Sequence, residues 1–172
     1  MILSGSNVTL RALEPTDLEL IYSWENNPDL WDISHTLTPF SKFVLTQYLE
    51  TQHVDIYTSK QLRLVAMDKD KVPVGLVDLF DFDPKHKRAG VGILIDFKER
   101  GKGYARESLR LLEEYCFNHL DLNQIYANIG IDNNPSLSLF EGLDYAKVGV
   151  KKDWVLTANG FVDEVLYQKL KT

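Results

Sequence analysis

Residues 96–120 read DFKERGKGYARESLRLLEEYCFNHL, and the two glycines at 101 and 103 decide how the chain is to be read. They stand among Lys98, Arg100, Lys102 and Arg106, where the pattern predicts a long helix over 103–119. Glycine costs a helix about 1 kcal/mol relative to alanine, so two of them at its start need a physical reason. A flexible, solvated loop ahead of an amphipathic helix would be one. The other is a backbone that has to approach an anion closely. The spacing excludes the two commonest phosphate loops. A Walker A loop needs G-x-x-x-x-G-K-[ST], whereas Tyr104 follows Gly103. A dinucleotide fingerprint belongs to the first strand–helix turn and needs a third glycine, which GKGYAR lacks. What is left is Arg100-x-x-Gly103-x-Ala105 between a strand and a helix. Unpaired amides and the positive end of the helix dipole would hold a pyrophosphate there, with Arg100, Lys102 and Arg106 adding charge.

Outward from this loop, RAGVGILID (88–96) reads as the preceding strand, with Gly90 and Gly92 marking a bulge or a close backbone approach. Upstream, NVTLRAL (7–13) alternates as a strand. PTDLELIYSWENN reads as a helix started by Pro15, Thr16 and Asp17, with Pro28 closing the region. Ser41 would cap a second helix, KFVLTQYLETQHV, and QLRLVAM and VPVGLVDLF flank DKDK as a hairpin. Downstream, QIYANIGI is a strand and PSLSLFEGL a short helix. YAKVGVKKDWVL and FVDEVLYQKL are joined by TANG, whose Asn159-Gly160 pair is the strongest hairpin signal in the chain. This order predicts an α/β (α+β) fold in a single domain, 1–172. Its mixed, mostly antiparallel sheet would have six to seven strands flanked by about four helices. Ligands of open sheets bind at strand carboxyl ends, so the strand–loop–helix unit at 88–119 is the expected site.

The 172 residues suit one core, and 44% hydrophobic with 26% charged residues exclude a disordered chain. No apolar run approaches the roughly 20 residues that cross a bilayer. MILSGSNVTLRAL also lacks the pattern of a secretory signal, so no membrane partner is expected. The single cysteine, Cys116, permits no intrachain disulfide and fits a reducing, cytoplasmic setting; on the apolar side of its helix it reads as a core thiol. The net charge of −6 argues against nucleic acid as a partner. His35, His53, His86 and His119 have no ligand spacing, so no metal is expected.

In this context the R-x-x-G-x-A loop resembles the acetyl-CoA loop of the GNAT superfamily of N-acetyltransferases, whose pattern is Q/R-x-x-G-x-G/A. Downstream, DNNPSLSLFEGLDY resembles the family's N-x-x-A/S-x-x-x-Y-x-x-x-G-F segment. The resemblance covers essentially the whole chain and is greatest to the spermidine/diamine and ribosomal-protein-alanine acetyltransferases. It implies an acyltransferase that moves an acetyl group from acetyl-CoA, as co-substrate, to a primary amine. A polyamine such as spermidine is the preferred acceptor. The alternatives are a protein N-terminus, as in the ribosomal-protein enzymes, and a non-catalytic acyl-CoA-binding module. A homo-oligomer is left open. The same resemblance implies that the amides of Gly101, Lys102, Gly103, Tyr104, Ala105 and Arg106 take the pyrophosphate beside Arg100. It implies that the strand edge at Ile93, Leu94 and Ile95 pairs with the pantetheine amides, and that Asn133, Ser136 and Phe140 complete the cofactor site. The thioester would enter a splay between the fourth and fifth strands.

Departures from the family pattern bear on catalysis. Phe140 stands where many members have a tyrosine that protonates the leaving thiolate, and phenylalanine has no proton to give. LDY replaces LGF, so Asp144 is expected in a left-handed conformation and Tyr145 becomes a candidate for the missing hydroxyl. Gly90 stands where related enzymes carry a glutamate. The candidate carboxylate for deprotonating the amine is Asp78 in GLVDLFDF, where the spermidine enzymes have an acidic residue. Asp81, three residues on, should point to the other face of a regular strand. For the acceptor, the stretch 24–41 offers Trp31 and His35 as stacking surface and Glu25 and Asp32 as anionic charge, with Asp78 as a further substrate contact.

Overall fold

The computed structural model describes residues 3–34 and 36–172, without the side chains of Asp32 and Ile33. Runs of apolar and β-branched residues form strands at Val8–Ala12 (β1), Leu62–Asp68 (β2), Pro73–Asp83 (β3), Arg88–Ile95 (β4), Gln124–Gly130 (β5), Ala146–Thr157 (β6) and Gly160–Leu170 (β7). Helices form at Leu18–Glu25 (α1), Pro28–Ser34 (α2), Lys42–Glu50 (α3), Ile56–Ser59 (α4), Tyr104–Glu114 (α5) and Asn134–Glu141 (α6). Among the described residues the strands make one seven-stranded sheet in the order β1-β2-β3-β4-β5-β7-β6. Neighbours are antiparallel except β4 and β5, which run parallel.

Helix ends explain most differences from the sequence-based expectation. Pro28 does not close the first helical region; it opens α2, because a proline in a first turn lacks only an N–H that would have been unpaired. The Asn27 side chain accepts from the amide of Asp29 at 3.1 Å and steadies that start. Ser41 caps α3 as expected, accepting from the Val44 amide at 3.2 Å. The long helix is α-helical only to Glu114 and continues through Tyr115–His119 as a π-helical turn. The short α4, capped by Asp55, was not foreseen.

The sheet has two unequal faces. Against α5 and α6, Val77, Leu79, Val91, Ile125, Ile129, Val165 and Tyr167 pack with Leu109, Leu112 and Cys116 into the larger core. On the other face Leu13, Ile21, Trp24, Val65 and Leu76 form a smaller one, joined by Tyr48, Leu49, Met67 and Leu94. The strand members of that smaller core come from β2, β3 and β4. The face therefore turns polar toward β5, where Tyr126 and Asn128 point out of the larger core.

Candidate active site

β4 and β5 pair at three rungs, Arg88–Gln124, Ala89–Ile125 and Gly90–Tyr126. Past Gly90 the two strands part, while β4 stays bonded on its other edge to β3 as far as Ile95–Gly75. The Val91–Ile95 edge facing β5 is thus an extended backbone without a ladder to β5, the template that a chain of amides can join. Beyond Ile95 the loop carries Gly101 at φ 77° and Gly103 at φ 85°, values glycine adopts without the clash a Cβ would bring. Among the described residues, nothing lies within 4 Å of where a Cβ would stand at either. Gly103 is the N-cap of α5 and offers no side-chain cap, so the amides of the first turn are left for a ligand. An anion fits here on both counts, open space and unpaired donors.

The cations expected around it are partly engaged. Arg100 donates to the Ile95 carbonyl at 3.3 Å and stacks on Phe97, 3.7 Å from the ring centre. Lys102 pairs with Glu99 at 2.7 Å. Arg106 donates to the Gly142 carbonyl at 2.8 Å and so ties the start of α5 to the end of α6. Asn133 caps α6, accepting from the Ser136 amide at 3.3 Å. Phe140 is 2% exposed and meets the Tyr145 ring edge-on, 4.9 Å between centres.

Tyr145 lies in the core on the α5 face, 4% exposed, not in the gap between β4 and β5. Burial, and then the charge of Glu113, hold its pKa well above the ordinary tyrosine range. Lys169 sits 5.4 Å from its ring and pairs with Glu113 at 2.7 Å. That is the setting of a packing residue, and it withdraws the hydroxyl from the place a proton donor would need. Asp144 does adopt the left-handed conformation expected of it, at φ 65°.

On the opposite face Arg63 of β2, Asp78 of β3 and Gly92 of β4 lie in one row across the sheet. Arg63 donates through Nε and Nη2 to the two oxygens of Asp78, at 2.6 and 3.0 Å, and through Nη1 to Glu25 of α1. Burial works against the guanidinium charge, but Asp78, by charge and hydrogen bonds, holds its pKa above the usual arginine value. Two carboxylates share one cation, so the cluster carries a net charge of about −1. Tyr48 stacks near Arg63, at 5.9 Å, and Tyr48, Gln52, Arg63, Asp78 and Phe80 line a cavity of about 200 Å³. The sequence singled out Glu25 and Asp78 but not Arg63 or Tyr48; only the β2–β3 register brings Arg63 opposite Asp78. Trp31 donates to the Glu25 carbonyl at 2.9 Å and fastens α2 to α1. His35 and the Asp32 side chain lie outside the described residues.

The glycine at 90 also has a structural partner. A Cβ there would fall 2.2 Å from the Phe80 ring, so phenylalanine fills the space a side chain at 90 would occupy. Phe80 in turn meets Tyr126 edge-on at 6.0 Å, on the last rung before the strands part. Among the described residues, no three His, Cys, Asp or Glu side chains are placed to hold a metal ion, and no helix is long and apolar enough to cross a membrane.

Parted parallel strands, a glycine loop with uncapped amides at their carboxyl ends and a polar opposite face suit a long donor that ends in a diphosphate and an acceptor that comes from the other side. Residues 7–146 match the model of the acetyltransferase (GNAT) domain, and the chain belongs to that family. It is an acetyltransferase with acetyl-CoA as co-substrate. Its sequence is 31% identical over 145 residues to the spermidine N(1)-acetyltransferase of Vibrio cholerae serotype O1, covering 84% of this chain and 82% of that one. An uncharacterized SPbeta prophage-derived N-acetyltransferase of Bacillus subtilis is 26% identical over 164 residues, covering 95% and 90%. The crystal structure of spermidine N-acetyltransferase from Vibrio cholerae with CoA and spermine superposes with a TM-score of 0.89, at 26% identity and 96% of each chain.

Proposed function

We propose that the protein acetylates a primary amine of polyamine type, such as spermidine, as one catalytic domain over 1–172 in the cytoplasm. The observation that carries this reading is the Glu25–Arg63–Asp78 cluster. Its net negative charge lies beside Tyr48 and Phe80, on the face opposite α5 and next to the parting of β4 and β5. Carboxylates beside aromatic rings suit an alkylammonium. The spermidine enzymes among its relatives support the same acceptor class.

When bound, acetyl-CoA supplies the activated carbonyl carbon. The amides from Gly101 to Arg106, in the loop and the first turn of α5, would hold the pyrophosphate with Arg100. The free edge at Ile93, Leu94 and Ile95 would align the pantetheine arm, with Asn133 and Ser136 closing its far side and Phe140, buried in the core, backing them. The acceptor amine arrives as an ammonium with a pKa near ~10 and must lose a proton before attack. Both oxygens of Asp78 are taken up by Arg63, so Asp78 with Glu25 would orient the ammonium and the proton would leave through water. Phe140 has no proton for the departing thiolate, which backbone amides and water receive instead.

The test is thiol release from acetyl-CoA with a panel of polyamines, amino acids and N-terminal peptides. Polyamines should give a kcat/KM at least tenfold above the rest. A peptide preferred by that margin would place the protein with the N-terminal acetyltransferases instead.

A further inference from the structure

A second cavity, of about 500 Å³, opens on the same face on the far side of the Phe80–Tyr126 pair, beside the first rungs of β4 and β5. Tyr126, Gln124 and Gln168 give it a polar floor, Val148 and Leu166 an apolar wall, and Asp81 an acid. The placing of Asp81 is unusual. On a regular strand residues 78, 80 and 82 share a face and 81 points away. Here the β3–β4 register slips between Phe80 and Asp83, and Asp81 takes φ 49°, in the left-handed region that few side chains tolerate. The bulge turns Phe82 into the larger core, 3% exposed, and brings Asp81 round to the face of Asp78 and Phe80. The expectation that Asp81 would point away from Asp78 is thereby overturned, by a device that re-aims one side chain at the cost of local strain.

The other charges of the cavity are spoken for. Asp83 accepts from the His86 amide at 2.9 Å and lies 3.5 Å from Arg88. Gln168 donates to Gln124. Among the described residues, Asp81 meets the Tyr126 hydroxyl alone, at 3.4 Å, long for such a bond. Asp78 and Asp81 are three residues apart, at most about 10 Å at the ~3.3 Å per residue of an extended chain, with the Gly90–Tyr126 rung between them.

We propose that Asp81, with the Tyr126 hydroxyl, receives the distal ammonium of a diamine or longer polyamine whose reacting amine is held beside Glu25 and Asp78. This deepens the acceptor reading above and rests on it. Phe80, between the two acids, covers the methylenes, and the bulge fixes which end of the acceptor faces the parting strands.

Asp81→Asn tests it, because asparagine also tolerates φ 49° and removes only the charge. The KM for a three- to five-carbon diamine should rise at least tenfold while kcat stays within twofold. The KM values for the matching monoamine and for acetyl-CoA should not move. Tyr126→Phe keeps the ring against Phe80 and should raise the diamine KM about threefold. Equal changes for monoamine and diamine, or none, would overturn the proposal. Calorimetry of the diamine with the cofactor-free protein separates this from the proposed function. Binding weakened tenfold by Asp81→Asn supports the site even if polyamines are not acetylated, and unchanged binding removes it even if they are.

Discussion

The two faces of the sheet obey different rules although they share the same strands. In β3, Val77 and Leu79 enter the α5-side core at 0% and 1% exposure, while Asp78 and Phe80 between and beyond them face the acceptor side. The α5 face is closely packed by aliphatic and aromatic side chains. The other face has a small core near α1 and then gives way to an ion cluster, an aromatic pair and two cavities. Alternation along a strand lets neighbouring residues serve unrelated ends. Stability and acceptor chemistry should therefore separate by mutation at positions one residue apart.

The largest expected effect lies on the α5 face. Leu109→Ala, at a fully buried position, should lower unfolding free energy by about 2–5 kcal/mol, measured by urea titration, and leave the KM for the amine unchanged in the folded fraction. A mainly kinetic effect would show that the faces are coupled. Arg63→Met reverses the pattern. Arg63, Asp78 and Glu25 are 24%, 31% and 16% exposed, so stranding two partly solvated carboxylates should cost about 1–3 kcal/mol. The larger signal should be kinetic, as Asp78 and Glu25 lose their fixed positions and the amine KM rises by an order of magnitude or more. An Arg63→Met enzyme with unaltered amine kinetics would reduce the cluster to a structural brace.

The α5 face was legible in the sequence and the acceptor face only in fragments. The glycine loop could be read because Gly101 and Gly103 have no use inside a helix, and their φ values of 77° and 85° give the reason. The mostly antiparallel character of the sheet followed from hairpin signals such as Asn159-Gly160. Asp78 was found, but its meaning depends on Arg63, which is fifteen residues away and meets it only through the β2–β3 register. Asp81 was read on the wrong face because a bulge leaves no mark in a period-two pattern. Tyr145 was read as chemistry because a hydroxyl attracts attention, yet it occupies the apolar place of the family's phenylalanine and is buried accordingly.

A smaller effect is expected at the join between the faces, the glycine loop. Gly103→Val forces a β-branched residue to φ 85°, which should cost about 1–2 kcal/mol in the free protein. Its main consequence is the loss of the thermal stabilisation that acetyl-CoA gives the parent by binding only the folded state. If the variant kept that ligand-induced rise in Tm, the pyrophosphate would have to bind elsewhere.

Tyr145→Phe should have the smallest effect, and it decides to which face Tyr145 belongs. Among the described residues, Tyr145 Oη makes no hydrogen bond of good geometry although Glu113 lies beside it, so removing it at pH 7 should change stability by no more than about 1 kcal/mol in either direction. The pH dependence gives a sharper reading. The pKa of Tyr145 is raised in the fold above its ordinary value of 10.0, first by burial and then by Glu113. The neutral phenol is the form the fold accepts, so its contribution is intact below about pH 10 and declines as the pH climbs above the unfolded value. Tyr167, pushed up to about 12 by burial and by its bond to Glu141, adds a parallel loss that the variant retains. The parent and Tyr145→Phe should therefore match near neutrality, and the variant should become the more stable of the two above pH 10. Its kcat should equal the parent's. A fall of roughly 10²–10⁴-fold, the usual loss on removing a positioned acid, would return Tyr145 to the chemistry of the thiolate.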